Sequence, residues 1–137
     1  MKVVDASVAV KWFLAEQGRD VAMTIIRSGE ALVAPDIVVF EVSNVLRRKQ
    51  RQGLIEARQV TAAVETMALC FSRLVPSTEL AQEAVKLSMA LDHSVYDCAY
   101  LACAALLAAP LVTADHVFAA KVVGTQAGHL IHVLGSS

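Results

Sequence analysis

Short unbroken apolar runs alternate along this chain with longer stretches in which apolar residues recur three or four positions apart. These are the rhythms of buried strands and amphipathic helices. Lys2 to Asp5 predicts a short strand, and Ser7 stands where it can cap a helix running through Ala9, Val10, Phe13 and Leu14. A helix over Arg19 to Ser28 and a strand over Ala31 to Ala34 follow. Pro35 and Asp36 give a helix start, the helix carries Val38, Val42, Val45 and Leu46 as an apolar stripe, and Gly53 ends it. Ile55 to Met67 predicts another helix, Arg73 to Val75 a strand, and Thr78 to Leu91 a helix capped by Ser77 or Thr78. A buried helix begins near Ser94 and contains the most apolar stretch, Cys98 to Ala109. Leu111 to Thr113 reads as a strand, Ala114 to Val123 as a helix and Leu130 to Leu134 as a final strand. This alternation predicts an α/β fold with a mainly parallel central sheet of about five strands between helices.

Composition supports a packed core, since 56% of the 137 residues are hydrophobic and only 18% are charged. The length suits a single domain over residues 1–137, burying roughly 70% of the unfolded chain's surface. No repeat, low-complexity tract or linker divides it. Cys98 to Ala109 is too short to cross a bilayer, and Asp5 interrupts the apolar run that a signal peptide needs, so no membrane span and a cytoplasmic location are expected. Cys70, Cys98 and Cys103 lack paired spacing, and His93, His116, His129 and His132 form no HxxxH pair. Buried thiols are therefore expected in place of a zinc site or a disulfide.

Four carboxylates interrupt this apolar pattern: Asp5, Glu41, Asp97 and Asp115. An ionised carboxylate taken out of water costs several kcal/mol unless it is paired or binds a cation. Each has an ordinary explanation. Asp5 can support a strand-to-helix turn, and Asp115 can cap the helix containing Val117 and Phe118. Ser94-Val95-Tyr96-Asp97 approximates a capping box, and Glu41 shares a solvent stripe with Asn44 and Arg48. One shared site for a hard divalent cation, Mg²⁺ or Mn²⁺, replaces four separate explanations. Asp5 and Asp115 also fall at the carboxyl ends of predicted strands, where open α/β sheets bind ligands.

Despite a net charge of −1, cations lie near these acids in sequence. Arg47, Arg48, Lys49 and Arg51 follow Glu41 on the same predicted helix, where they can meet phosphates. Lys11 and Trp12 offer a cation and a stacking surface close to Asp5. Trp12, Tyr96 and Tyr100 equally suit packing, and the two tyrosines are not assigned to catalysis.

Asp5-Ala6-Ser7-Val8-Ala9-Val10-Lys11-Trp12-Phe13 resembles the opening of PIN-domain proteins, and Pro35 through Glu41-Val42-Ser43-Asn44-Val45-Leu46 is similar to their second motif. Val95-Tyr96-Asp97-Cys98-Ala99-Tyr100-Leu101-Ala102 resembles the third motif, and Leu111-Val112-Thr113-Ala114-Asp115 the fourth. With all four in register from Lys2 to Phe118, the chain resembles the VapC-type toxins of that family. The resemblance implies a three-layer α/β/α domain, Mg²⁺- or Mn²⁺-dependent cleavage of RNA, neutralisation by a cognate VapB-like antitoxin, and a homodimer. It makes Asp5, Glu41, Asp97 and Asp115 the catalytic metal-site quartet, with Ser7, Asn44 and Thr113 as polar supports. Some relatives carry a further acid two residues past the last one, where this chain has Val117, so one or two bound ions remain open. A phosphotransferase with an aspartyl nucleophile is a second reading of Asp5, but that chemistry wants an acid at the position of Ser7. A catalytically silent RNA- or protein-binding module is the third.

Overall fold

The computed structural model describes residues 1–135. Its elements follow the order β1 (Lys2–Val4), α1 (Ala6–Ala9), α2 (Arg19–Arg27), β2 (Leu32–Pro35), α3 (Val38–Arg51), α4 (Ala57–Met67) and β3 (Arg73–Val75). Then come α5 (Ser77–Leu91), α6 (Val95–Leu107), β4 (Leu111–Thr113), α7 (His116–Val123) and β5 (Ile131–Val133). The five strands form one parallel sheet in the order β3-β2-β1-β4-β5, with helices flanking it. Val3 is in register with Val33 on one side and Leu111 on the other. β1 is thus the strand from which the sheet grows in both directions, and a crevice opens beyond its carboxyl end.

The strands are short, and their burial explains their composition. Val3, Val4, Val33, Ala34, Leu111 and Thr113 are almost completely buried, as expected for a parallel sheet covered on its faces. The apolar helix α6 contributes Cys98, Tyr100, Leu101, Ala102, Cys103 and Ala104 to the same continuous core and packs on β1, β2 and α5. Burial raises the thiols of Cys98 and Cys103 to about 11, so both stay protonated packing groups at neutral pH. Among the described residues no helix is long and apolar enough to cross a membrane.

Several local starts and stops differ from the expected ones. The first helix ends at Ala9 and continues as a 3₁₀ turn over Val10–Trp12, short of Leu14. Asp5 takes its cap position in extended conformation, and Ser7 lies inside the helix. The tighter turn delivers Trp12 into the core, where its indole N–H donates to the Ala22 carbonyl at 3.0 Å and its ring meets Phe71. Pro35 closes β2 and does not open α3. Neither Ser77 nor Thr78 caps α5; the Ser77 hydroxyl donates to Asp36 Oδ1 at 2.6 Å, tying the turn before α3 to the turn before α5. α3 does stop at Gly53, which has φ +76° and donates to the Gln50 carbonyl, while Leu54 reaches back to Lys49. Glycine takes this left-handed conformation without a Cβ penalty, which suits it to close a helix this way.

Candidate metal centre

The carboxyl ends of β1 and β4 are laced together by two hydroxyls. Asp5 is 5% exposed, and its Oδ2 accepts from Ser7 Oγ at 2.5 Å and from Thr113 Oγ1 at 2.7 Å. The same hydroxyls accept backbone N–H groups from the β4–α7 turn, Ser7 from Ala114 at 2.9 Å and Thr113 from Asp115 at 3.0 Å. Each hydroxyl therefore spends its proton on the acid and its lone pair on the turn, which fixes both strand ends relative to Asp5.

The other three acids arrive from three different helices. Glu41, in the first turn of α3, accepts the Tyr100 hydroxyl at Oε1 over 2.6 Å. Asp97, in the first turn of α6, shares a 2.7 Å hydrogen bond between its Oδ2 and His93 Nε2. Asp115 caps α7 by accepting the Phe118 N–H at Oδ1 over 3.0 Å. In all four acids one oxygen is oriented by the protein, and no protein hydrogen bond among the described residues reaches the second oxygen. All four line one cleft of about 330 Å³, together with Ser7, Asn44 and Arg48. Larger hollows exist, such as one of about 540 Å³ lined by Val21, Ile25 and His132, but it gathers no acids. Chemistry, and not volume, identifies the site.

The electrostatics are those of a site short of positive charge. Burial pushes the Asp5 carboxyl up, the Ser7 and Thr113 hydroxyls pull against that, and Asp97 and Asp115 add repulsion. Burial also raises Glu41, opposed by the Tyr100 hydroxyl and reinforced by Asp5 and Asp97. Tyr100 itself is raised well out of the titrating range, first by burial and then by Glu41, so it stays a proton donor. Among the described residues no lysine or arginine pairs with any of the four acids. Oriented oxygens without a counter-cation are the donor set that a hard divalent ion takes, so Mg²⁺ or Mn²⁺ fits these residues.

A pH prediction follows from the raised carboxyls. Above about pH 4 the unfolded chain releases protons that folded Asp5 and Glu41 still hold, so the metal-free protein should lose stability as pH rises through their elevated range. Melting curves in EDTA between pH 4 and pH 8 should show this decline, and Mg²⁺ should reverse it at neutral pH by favouring the ionised forms. Metal-free stability that rises over that interval would contradict the assignment of these carboxyls.

The fold distributes the other candidates unevenly. Ser7 and Thr113 support Asp5 directly, while Asn44 is exposed on the cleft wall. Of the proposed phosphate-binding cations, Arg48 lines the cleft because it shares the helix face of Glu41 and Asn44. Arg47 is turned aside and donates to Gln50 Oε1 at 2.7 Å, and neither Lys49 nor Arg51 lines the cleft. Lys11 points elsewhere, pairing with Glu16 at 3.2 Å and the Gln17 carbonyl at 2.8 Å. Trp12 is buried and offers no stacking face. The Ser94 hydroxyl caps α6 by accepting the Tyr96 N–H, but Asp97 does not reach back to complete a capping box. Tyr100 is a core residue that also orients Glu41, and His93, outside the expected set, reaches the site through Asp97. Its sequence signal is the His93-x₃-Asp97 spacing, which a search for histidine pairs passes over.

Fold and site together define a parallel α/β protein with an acid-lined cleft at the strand from which its sheet grows in both directions. The PIN domain family model matches residues 2–123, and the chain belongs to that family. It is 28% identical over 121 residues to Ribonuclease VapC3 of Pyrobaculum aerophilum, an alignment covering 87% of this chain and 92% of that protein. Among solved structures it is similar in fold to VapC20 of Mycobacterium tuberculosis, described as a toxin that cleaves the sarcin-ricin loop. That likeness has a TM-score of 0.72 at 17% identity and covers 88% of this chain and 94% of the other.

Proposed function

We propose that this protein is a VapC-type toxin, an endoribonuclease that hydrolyses RNA phosphodiester bonds with Mg²⁺ or Mn²⁺ held by Asp5, Glu41, Asp97 and Asp115. The observation that carries the reading is the convergence of these four acids, each with one oxygen unengaged by the protein, in a family member 28% identical to a named ribonuclease. A divalent ion held there would supply the Lewis acidity to polarise a phosphoryl oxygen of the RNA and to acidify an attacking water. Ser7 and Thr113 hold Asp5 in place, and Tyr100 holds Glu41. Arg48, beside Asn44 on the cleft wall, is the cation that meets the RNA phosphate; Arg47, Lys49 and Arg51 extend positive charge along α3. Ser7 is committed to Asp5 and to the Ala114 N–H, which leaves no general acid for the phosphotransferase alternative.

The same reading assigns a VapB-like antitoxin as partner, a homodimer as the assembly and the cytoplasm as the location, with residues 1–137 forming one domain. An antitoxin arginine can reach the acids through charge-assisted hydrogen bonds and compete with the metal. The test is incubation of purified protein with defined tRNA, rRNA and mRNA in Mg²⁺, Mn²⁺ or EDTA. Discrete cleavage with either metal and none in EDTA is the expected result. Intact RNA in every condition, with RNA binding retained, would favour the silent-module alternative.

A further inference from the structure

We propose that His93, Asp97 and Asp115 form a mixed nitrogen–oxygen metal position on the β4 side of the cleft, and that it gives the site a preference for Mn²⁺ and similar transition ions over Mg²⁺. The inference rests on the metal-dependent reading above and adds a ligand to it.

One ligand atom from each of these three residues lies within 4.8 Å of the other two. Donors on one ion with bonds of about 2.0–2.2 Å stand from roughly 3 Å apart for neighbours to roughly 4.4 Å apart for opposites, so the three atoms draw together by up to about an ångström when one ion binds them all. His93 is held for such a role. Its side chain is 13% exposed, and its ring stacks on Phe118 with centroids 4.8 Å apart and planes 23° from parallel. Phe118 is buried and belongs to the helix that Asp115 caps, so the imidazole and Asp115 are positioned by one element. The His93 backbone is fixed at both polar groups, its N–H donating to the Ser88 carbonyl at 3.2 Å and its carbonyl accepting the Ser88 hydroxyl at 2.5 Å. Lys121 of α7 donates to the neighbouring Asp92 carbonyl at 2.5 Å, closing the turn from a third side.

Ligand chemistry then sets the preference. Mg²⁺ takes oxygen ligands and keeps several waters, whereas first-row transition ions accept imidazole beside carboxylate, weakly at Mn²⁺ and with rising affinity through Fe²⁺ and Co²⁺. Asp5 and Glu41, from β1 and α3, leave an all-oxygen side to the same cleft. Asp97 lies between the two sides, since it repels Asp5 and Glu41 and also bonds His93.

The experiment is pulsed electron paramagnetic resonance of the full-length protein loaded with Mn²⁺, together with calorimetric titrations of Mn²⁺ and Mg²⁺. Wild-type protein should show nitrogen-14 modulation from a directly bound imidazole. The His93→Phe protein, which keeps an aromatic ring against Phe118, should lose that modulation, and its Mn²⁺ affinity should fall clearly further than its Mg²⁺ affinity, which loses only the orientation that His93 gives Asp97, a cost of about 10- to 100-fold. Bound Mn²⁺ without nitrogen coupling in the wild-type protein would overturn the proposal while leaving the acidic metal site standing, and would make His93 an orienting partner of Asp97. Failure of the wild-type protein to bind either ion would remove both.

Discussion

Asp97→Asn should reduce metal-dependent RNA cleavage by roughly 100-fold or more, because it removes the charge of a proposed ligand, and loss of even an outer-shell partner typically costs 10- to 100-fold. Asn is nearly isosteric and still accepts a hydrogen bond, so the His93 contact at 2.7 Å can survive in altered form. The helix start should survive as well, since Ser94 and not Asp97 caps α6. What disappears is the negative charge that Asp5 and Glu41 feel as repulsion, which means the metal-free variant should melt no lower than wild type. Full cleavage with unchanged metal affinity would exclude Asp97 from the site.

Thr113→Val should lower stability and metal binding together while leaving all four acids in place. Thr113 is completely buried, and its hydroxyl donates to Asp5 and accepts from the Asp115 N–H. Valine fits the space but leaves that amide without its acceptor and takes one of two donors from Asp5, a cost of about 1–3 kcal/mol. Urea denaturation should register that loss, and Mg²⁺ affinity should fall because Asp5 and Asp115 are no longer held relative to each other. Thr113→Ser, which retains the hydroxyl, should recover most of both. Wild-type denaturation and wild-type Mg²⁺ affinity in Thr113→Val would show that the lacing hydroxyl is dispensable.

The strands and the long helices are legible in the sequence because their apolar spacing is local. The five-stranded parallel sheet follows from the strand–helix alternation, with flanking helices as expected. Local rules fail where a distant contact competes. Ser7 reads as a cap, but its partners are Asp5 and the Ala114 N–H, the latter 107 residues away. Ser77 reads as a cap for α5, and its hydroxyl donates instead to Asp36, which follows the neighbouring strand β2. Asp115 shows that a capping role and a place in the cleft are not alternatives, for it has both. The four acids stand out because a carboxylate in an apolar run is expensive wherever the chain folds. Their supports do not stand out from local spacing, since Tyr100 meets Glu41 across 59 residues and Thr113 meets Asp5 across 108; Thr113 is named only through the family resemblance, and Tyr100 is not assigned. Lys11 shows the converse, since nearness to Asp5 in sequence does not keep it from turning to Glu16.

A divalent cation held by carboxylates that the fold orients one oxygen at a time is the centre of the proposed chemistry. Isothermal titration of Mg²⁺ into metal-free wild-type and Asp5→Asn protein tests this most directly, because Asn keeps the acceptor that Ser7 and Thr113 require while removing the buried charge. Saturable binding by the wild-type protein that is lost or sharply weakened in Asp5→Asn, with both proteins folded, is the predicted result. Equal binding by the two proteins, or no binding by either, would contradict it.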